Sequence, residues 1–210
     1  MSTLLLVACS SHQDAAESTF KTALQEYYTS HPACFHVGLS FPYRLAQSQR
    51  TGASQSSILN ELVSLGLLEA SPTEMESRSI FRGQPAKMES ATRFVLTDLG
   101  QQVTRAPEQH LFSSGGTLFC YGDYEVTSVS HFSDPADFMD HKVSQVSFAY
   151  KAVRIADWAL NSQVLQRHFS QITRDIQSEQ APIEERTTLI LTNEGWVHER
   201  LSVNSRITSR

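Results

Sequence analysis

The chain has 210 residues, 40% of them hydrophobic and 19% charged, with a formal net charge of −5 at pH 7. That length and composition suit one large globular domain or two small ones, with enough apolar residues to build a core. The acidic balance argues against a surface made to neutralise phosphate backbones, and no apolar run approaches the ~20 residues of a membrane-spanning helix.

In chain order, the first feature is a short apolar run, Leu4 to Ala8, ending at Cys9 and followed by the polar, serine-rich stretch Ser10 to Ala16. Leu6-Val7-Ala8-Cys9 is similar to the lipobox of bacterial lipoproteins. The resemblance implies acylation of the Cys9 thiol, cleavage before the modified cysteine with small residues at the cut, and a flexible tether beyond it. Residues 1–16 are then signal remnant and tether. Ser10 after the cysteine, by analogy with enterobacterial sorting, points to the outer membrane. No Lys or Arg precedes the run, and it is shorter than the ~7–15 residues of a signal core, so the native start is expected upstream. The other reading of the run is a buried strand with Cys9 as a core thiol.

Glu17 to Ser30 reads as a helix, because Phe20, Ala23, Leu24 and Tyr27 recur at helical spacing. His31-Pro32 stops it, since a residue before proline avoids helical angles. Ala33 to Tyr43 holds an apolar segment, expected to be extended and to end at Pro42. A second helix is expected over Ser54 to Leu65, with Ile58, Leu59, Leu62 and Val63 as its stripe and Gly66 as its C-cap. Leu67 to Ala70, a polar stretch and Thr92 to Gly100 follow. This order of helix, strand, irregular tip, strand and "LTDLG" turn resembles the winged-helix architecture over residues 17–105.

Ala106-Pro107 and Ser113-Ser114-Gly115-Gly116 make 106–117 a linker. Beyond it, Leu118 to Phe132 reads as a strand or bent pair. Val143 to Ile155 alternates as a half-buried strand should, and Asp157 to Phe169 reads as a helix. Thr187 to Leu191 and Trp196 to Leu201 flank Asn193-Glu194-Gly195 as a hairpin. The expected fold class is α+β: a helical winged-helix-like part at 17–105, then a small antiparallel β-sheet with a covering helix at 118–202, and a tail at 203–210.

Phe119-Cys120-Tyr121-Gly122, Tyr150-Lys151, Asp157-Trp158-Ala159 and Leu191 to Trp196, taken with the lipobox, resemble a group of uncharacterised proteobacterial lipoproteins. The resemblance implies export and brings no activity with it. Were Cys9 acylated, Cys34 and Cys120 would remain as an even pair in an oxidising compartment, where disulfides persist. A bridge between them is expected, and the family likeness points the same way. The alternative is two unpaired core thiols.

Motifs for chemistry are sparse. Asp134, Asp137 and Asp140 with His131 and His141 could in principle hold a divalent cation, but their order is not that of a calcium loop. A solvated turn begun by Asp134 before Pro135 explains them more simply. His31, Cys34 and His36 have a zinc-like spacing but lack a fourth ligand and a Cys-x-x-Cys pair. No Gly-x-Ser-x-Gly elbow, Walker loop or dinucleotide fingerprint is present. A Cys–His enzyme built on Cys120 is less plausible than a core or bridged cysteine between Phe119 and Tyr121. The helix before the presumed wing carries Gln55, Asn60 and Glu61 but no Lys or Arg. Arg78, Arg82, Lys87 and Arg93 nearly cancel against Glu74, Glu76 and Glu89.

The sequence therefore leads to a non-enzymatic envelope lipoprotein, held by the lipid bilayer through Cys9 and facing the periplasm. It would bind another envelope protein, without metal, cofactor or nucleic acid. The rival expectation is a cytosolic winged-helix DNA-binding regulator.

Overall fold

The computed structural model describes residues 14–49, 53–77, 87–107 and 115–201. Along the chain the elements are α1 (Glu17–Ser30), β1 (Ala33–Val37), β2 (Tyr43–Ala46), α2 (Ala53–Ser64), β3 (Leu68–Ser77), β4 (Lys87–Leu96), α3 (Asp98–Val103) and β5 (Thr104–Arg105). They continue with β6 (Thr117–Phe132), β7 (Ala136–Phe138), β8 (His141–Val153), α4 (Asp157–Asn161), α5 (Gln163–His168), α6 (Ser170–Gln177), β9 (Ile183–Thr192) and β10 (Gly195–His198).

These elements overturn the expected fold class. Strands hold 46% of the described residues and helices 33%. Seven strands form one antiparallel sheet in the order β1-β6-β8-β9-β10, with β5 against β6 and β7 against β8. A second antiparallel sheet of three strands runs β2-β4-β3. The helical winged-helix-like half followed by a small sheet is therefore wrong. The reason is long-range pairing: β1, from the supposed helical half, pairs with β6 through Cys34↔Cys120 and Phe35↔Phe119. A local helix–strand–strand pattern carries no information about such pairing.

The described chain divides into two units that interleave in sequence. Of the described residues, the first takes 14–32, 123–153 and 177–201. Here Asp123–Phe132 of β6, then β8, β9 and β10, pair in turn. The helix covering them is α1, not the expected Asp157–Phe169 segment. Phe20, Ala23, Leu24, Tyr27 and Tyr28 on one face of α1 are buried with Val126, Val129, Val146, Phe148, Tyr150, Leu189 and Trp196. Phe20 sits edge-on to Trp196 at 5.0 Å, the arrangement the ring quadrupoles favour. Gln25 fastens the helix to the strand, donating to the Tyr124 carbonyl and accepting from the Val126 amide, each at 2.9 Å. The helix ends at His31, whose amide donates to the carbonyls of Tyr27 and Tyr28.

The second unit takes 33–122 and 154–176. Phe35, Phe119 and Tyr121 are buried at the pairing of β1 with β6. Phe169 stacks on Phe35 at 4.4 Å. Leu59, Leu62, Leu67 and Leu68 are buried at α2 and the start of β3. Gly66, with φ +71°, closes α2: the Gly66 amide donates to Val63 and the Leu67 amide to Leu62. This left-handed cap is the one glycine adopts without a Cβ penalty. The expected single helix over 157–169 is α4 and α5, parted at Ser162. The Ser162 hydroxyl donates to Glu61 at 2.6 Å and accepts from the Leu165 amide at 3.1 Å.

Thr97 caps α3. Its hydroxyl accepts from the Gly100 amide at 3.0 Å and donates to the Gly66 carbonyl at 2.6 Å. Thr97→Ala is therefore expected to lower the unfolding free energy by ~1–2 kcal/mol in urea melts, the usual loss at an N-cap. Thr97→Ser should keep most of it. Equal losses in the two variants would show that the methyl group, not the hydroxyl, matters at this position.

Candidate functional site

The feature with chemistry beyond packing is the cysteine pair. On β1, Phe35 and Val37 are buried while Cys34 and His36 lie on the other, more open face, as strand alternation requires. Cys120 takes the matching position on β6, facing Cys34 in register. The two sulfurs are bonded at 2.08 Å, closing a sequence separation of 86 residues. The expected bridge is thus present, and the unpaired-thiol alternative is excluded. Gln171 on α6 covers the neighbouring backbone, donating to the Cys34 carbonyl at 2.9 Å. Cys9 lies outside the described residues.

The trio with zinc-like spacing does not assemble. The Cys34 sulfur is spent in the disulfide. His36 Nε2 is 3.1 Å from the Gly115 carbonyl. His31 Nδ1 is 2.8 Å from the Tyr27 carbonyl, with its ring stacked on Tyr27. Asp134, Asp137, Asp140, His131 and His141 fall along the β6–β7–β8 connection as a hairpin tip. Among the described residues, no group of three or more His, Cys, Asp or Glu side chains is placed to hold a metal ion. Of the presumed wing cations, Arg78 and Arg82 lie outside the described residues. Lys87 and Arg93 are in β4, paired with Ser77 and Ser71 of β3.

One Ser–His contact borders a cleft. Ser54 Oγ lies 3.2 Å from His168 Nδ1, beside a cavity of about 260 Å³ lined by His36, Val37, Gly38, Leu39, Gln55, Ile58 and Phe169. Among the described residues no carboxylate bonds the other imidazole nitrogen. The pair thus lacks the group that would orient a general base.

Sequence reasoning missed a buried polar network in the first unit. His198, 3% exposed, stacks on Tyr27 at 3.8 Å, and His31 stacks on Tyr27 at 4.1 Å. His198 Nδ1 accepts from the Arg200 amide at 3.2 Å, so in the neutral ring Nε2 carries the proton and donates to Thr187 Oγ1 at 3.0 Å. Thr187 passes its own proton toward Glu199 at 3.3 Å. Burial first, then the Arg200 charge, lowers the His198 pKa to about 4, with His31 adding to the effect and Glu185 opposing it. Burial also raises the Tyr28 phenol far above its ordinary range, helped by Tyr150 and Glu185. No motif marks these residues: His198 reads as one more position of a strand and Tyr27 as one more apolar position of a helix.

Compared with protein families, with curated proteins and with solved structures, the chain finds no match in any of the three.

Proposed function

We propose that this chain is an envelope lipoprotein, acylated at Cys9 and facing the periplasm, that binds another envelope protein and catalyses no reaction. The observation that supports this reading is the Cys34–Cys120 disulfide. Bridges of this kind persist in oxidising compartments and are rare in the cytosol. The lipobox-like Leu6-Val7-Ala8-Cys9 and the polar stretch after it supply the address. Three acyl chains hold a protein stably because each buried methylene contributes ~0.8 kcal/mol. The rival DNA-binding regulator leans on a winged-helix fold, which the sheet topology does not support.

The test is membrane fractionation of the protein expressed from its own locus beside Cys9→Ser, with radiolabelled palmitate. Wild type should sediment with outer membranes and take up label, while the variant should lose the label and remain soluble or unprocessed. Equal, unlabelled, soluble forms would overturn the anchor. Thiol trapping of the same samples should find Cys34 and Cys120 unreactive until reductant is added.

A further inference from the structure

The β7–β8 hairpin ends in two exposed apolar side chains that the fold does not use. Phe138 is 60% exposed and Met139 86% exposed, and all three residues of β7 face solvent. Phe138 pairs with His141, so Met139-Asp140 is a two-residue turn. Met139 has φ +52°, while Asp140 is not among the positive-φ residues. A turn with positive φ only at its first central residue is the kind in which glycine normally stands. A methionine there carries backbone strain and gains no packing in return. The local rule is thus broken in favour of an apolar apex.

The tip is also firmly mounted. Phe132 at its root sits edge-on to the buried Phe20 at 5.0 Å. Ser133 is fastened to β8: its amide donates to the Gln145 carbonyl, its hydroxyl accepts from the Gln145 amide, and its carbonyl accepts from the buried Ser144 hydroxyl. A mounted apolar apex loses little freedom on docking. Its charge is mainly negative: between Phe132 and Val143 stand Asp134, Asp137 and Asp140 against one cation, Lys142, the cross-strand neighbour of Asp137. Three carboxylates disfavour insertion into an anionic or zwitterionic bilayer, and they would repel the same tip on a second copy.

We infer that this tip is the docking element for a partner protein, with Phe138 and Met139 entering an apolar cleft whose rim carries Lys and Arg. The inference rests on the protein-binding reading above and names its surface. Complementary rim charge would speed association and make it salt-sensitive, while the two apolar side chains would supply the anchor.

The experiment places a benzophenone amino acid at Phe138 of the full chain in cells, with exposed Gln163 as the control position. The expected result is one discrete crosslinked protein at Phe138 and none at Gln163. The protein is identified by mass spectrometry and then purified. It should bind the chain with a Kd weakened ~10–30-fold by Phe138→Ser with Met139→Ser, as for an anchoring pair. Its association should slow with added salt and in the Asp134→Asn, Asp137→Asn, Asp140→Asn variant. Met139→Gly should separate function from folding, because it removes strain and apex together. It should raise Tm by ~2 °C while weakening binding. Crosslinks to phospholipid, to a second copy, or to nothing discrete would overturn the inference, as would a Kd indifferent to the serine substitutions. Failure of the anchor is read separately, from Cys9→Ser fractionation: a discrete crosslink can survive there, and a missing one condemns the tip alone.

Discussion

Replacing Cys34 and Cys120 together by alanine should lower the unfolding free energy by ~4–5 kcal/mol, the chain-entropy value for a loop of this length. The bond joins residues 86 apart, so the oxidised unfolded chain is a large ring and the reduced one is free. Both cysteines lie on the more open face of their strands, opposite the buried Phe35 and Phe119. Truncating them therefore leaves little cavity, and the loss should come mainly from the unfolded state. In urea the midpoint should fall by ~2 M at a slope of ~2–3 kcal/mol per M. Wild type treated with dithiothreitol should fall to the same midpoint as the double alanine variant. If the reduced wild type stays within ~1 kcal/mol of the oxidised form, the entropic account fails. The size of the expected loss also bears on location. In a reducing compartment the chain would fold without this contribution, and that would take a large share of a typical net stability of ~5–15 kcal/mol.

The bridge was legible in the sequence for a simple reason: it needs only a count of cysteines and an assumed compartment. Helix α1 was legible because Phe20, Ala23, Leu24 and Tyr27 repeat at 3.6 residues, and that pattern is local. What α1 covers was not. Its partners Val126, Phe148, Leu189 and Trp196 lie about a hundred residues or more beyond it in the chain and are brought together by strand pairing, and a strand's alternation does not name its neighbour. The fold class failed on the same point. Leu118–Phe132 reads from the sequence as a strand or a bent pair, and β6 is a single strand with register shifts at Val126/Ser128 and Val129/His131. Its Thr117–Gly122 part serves one unit and the rest serves the other, a division that no composition shift marks. The tip reads from the sequence as a solvated turn begun by Asp134 before Pro135, and its carboxylates are exposed; β7 within it was not legible because Met139-Asp140 lacks the glycine or asparagine that announces a tight turn.

Acidification should weaken the first unit through His198. The ring is neutral in the folded chain, with Nδ1 committed to the Arg200 amide and Nε2–H to Thr187. A proton can enter only at Nδ1, where it would meet an N–H donor in place of a lone pair. The resulting cation would lie buried, with Arg200 and His31 opposing it and Glu185 favouring it. Glu199 is reached through Thr187, and burial keeps the Tyr28 phenol neutral. The folded pKa is about 4 against 6.5 for the free side chain. A lowered histidine pKa means the unfolded chain binds the proton first. Its stabilising contribution is therefore complete above pH 6.5 and is lost as the pH falls toward 4, by ~3 kcal/mol in all. Urea melts between pH 7.5 and 4 should show this fall in the wild type. In His198→Gln the amide can still donate to Thr187 but takes up no proton. That variant should be less stable at neutral pH and should lack this part of the slope, so the difference between the two curves isolates the imidazole from the carboxylates that titrate lower. An NMR titration of the His198 ring supplies the independent reading: a midpoint near 6.5 in the folded protein would sink the prediction, and one near 4 would carry it.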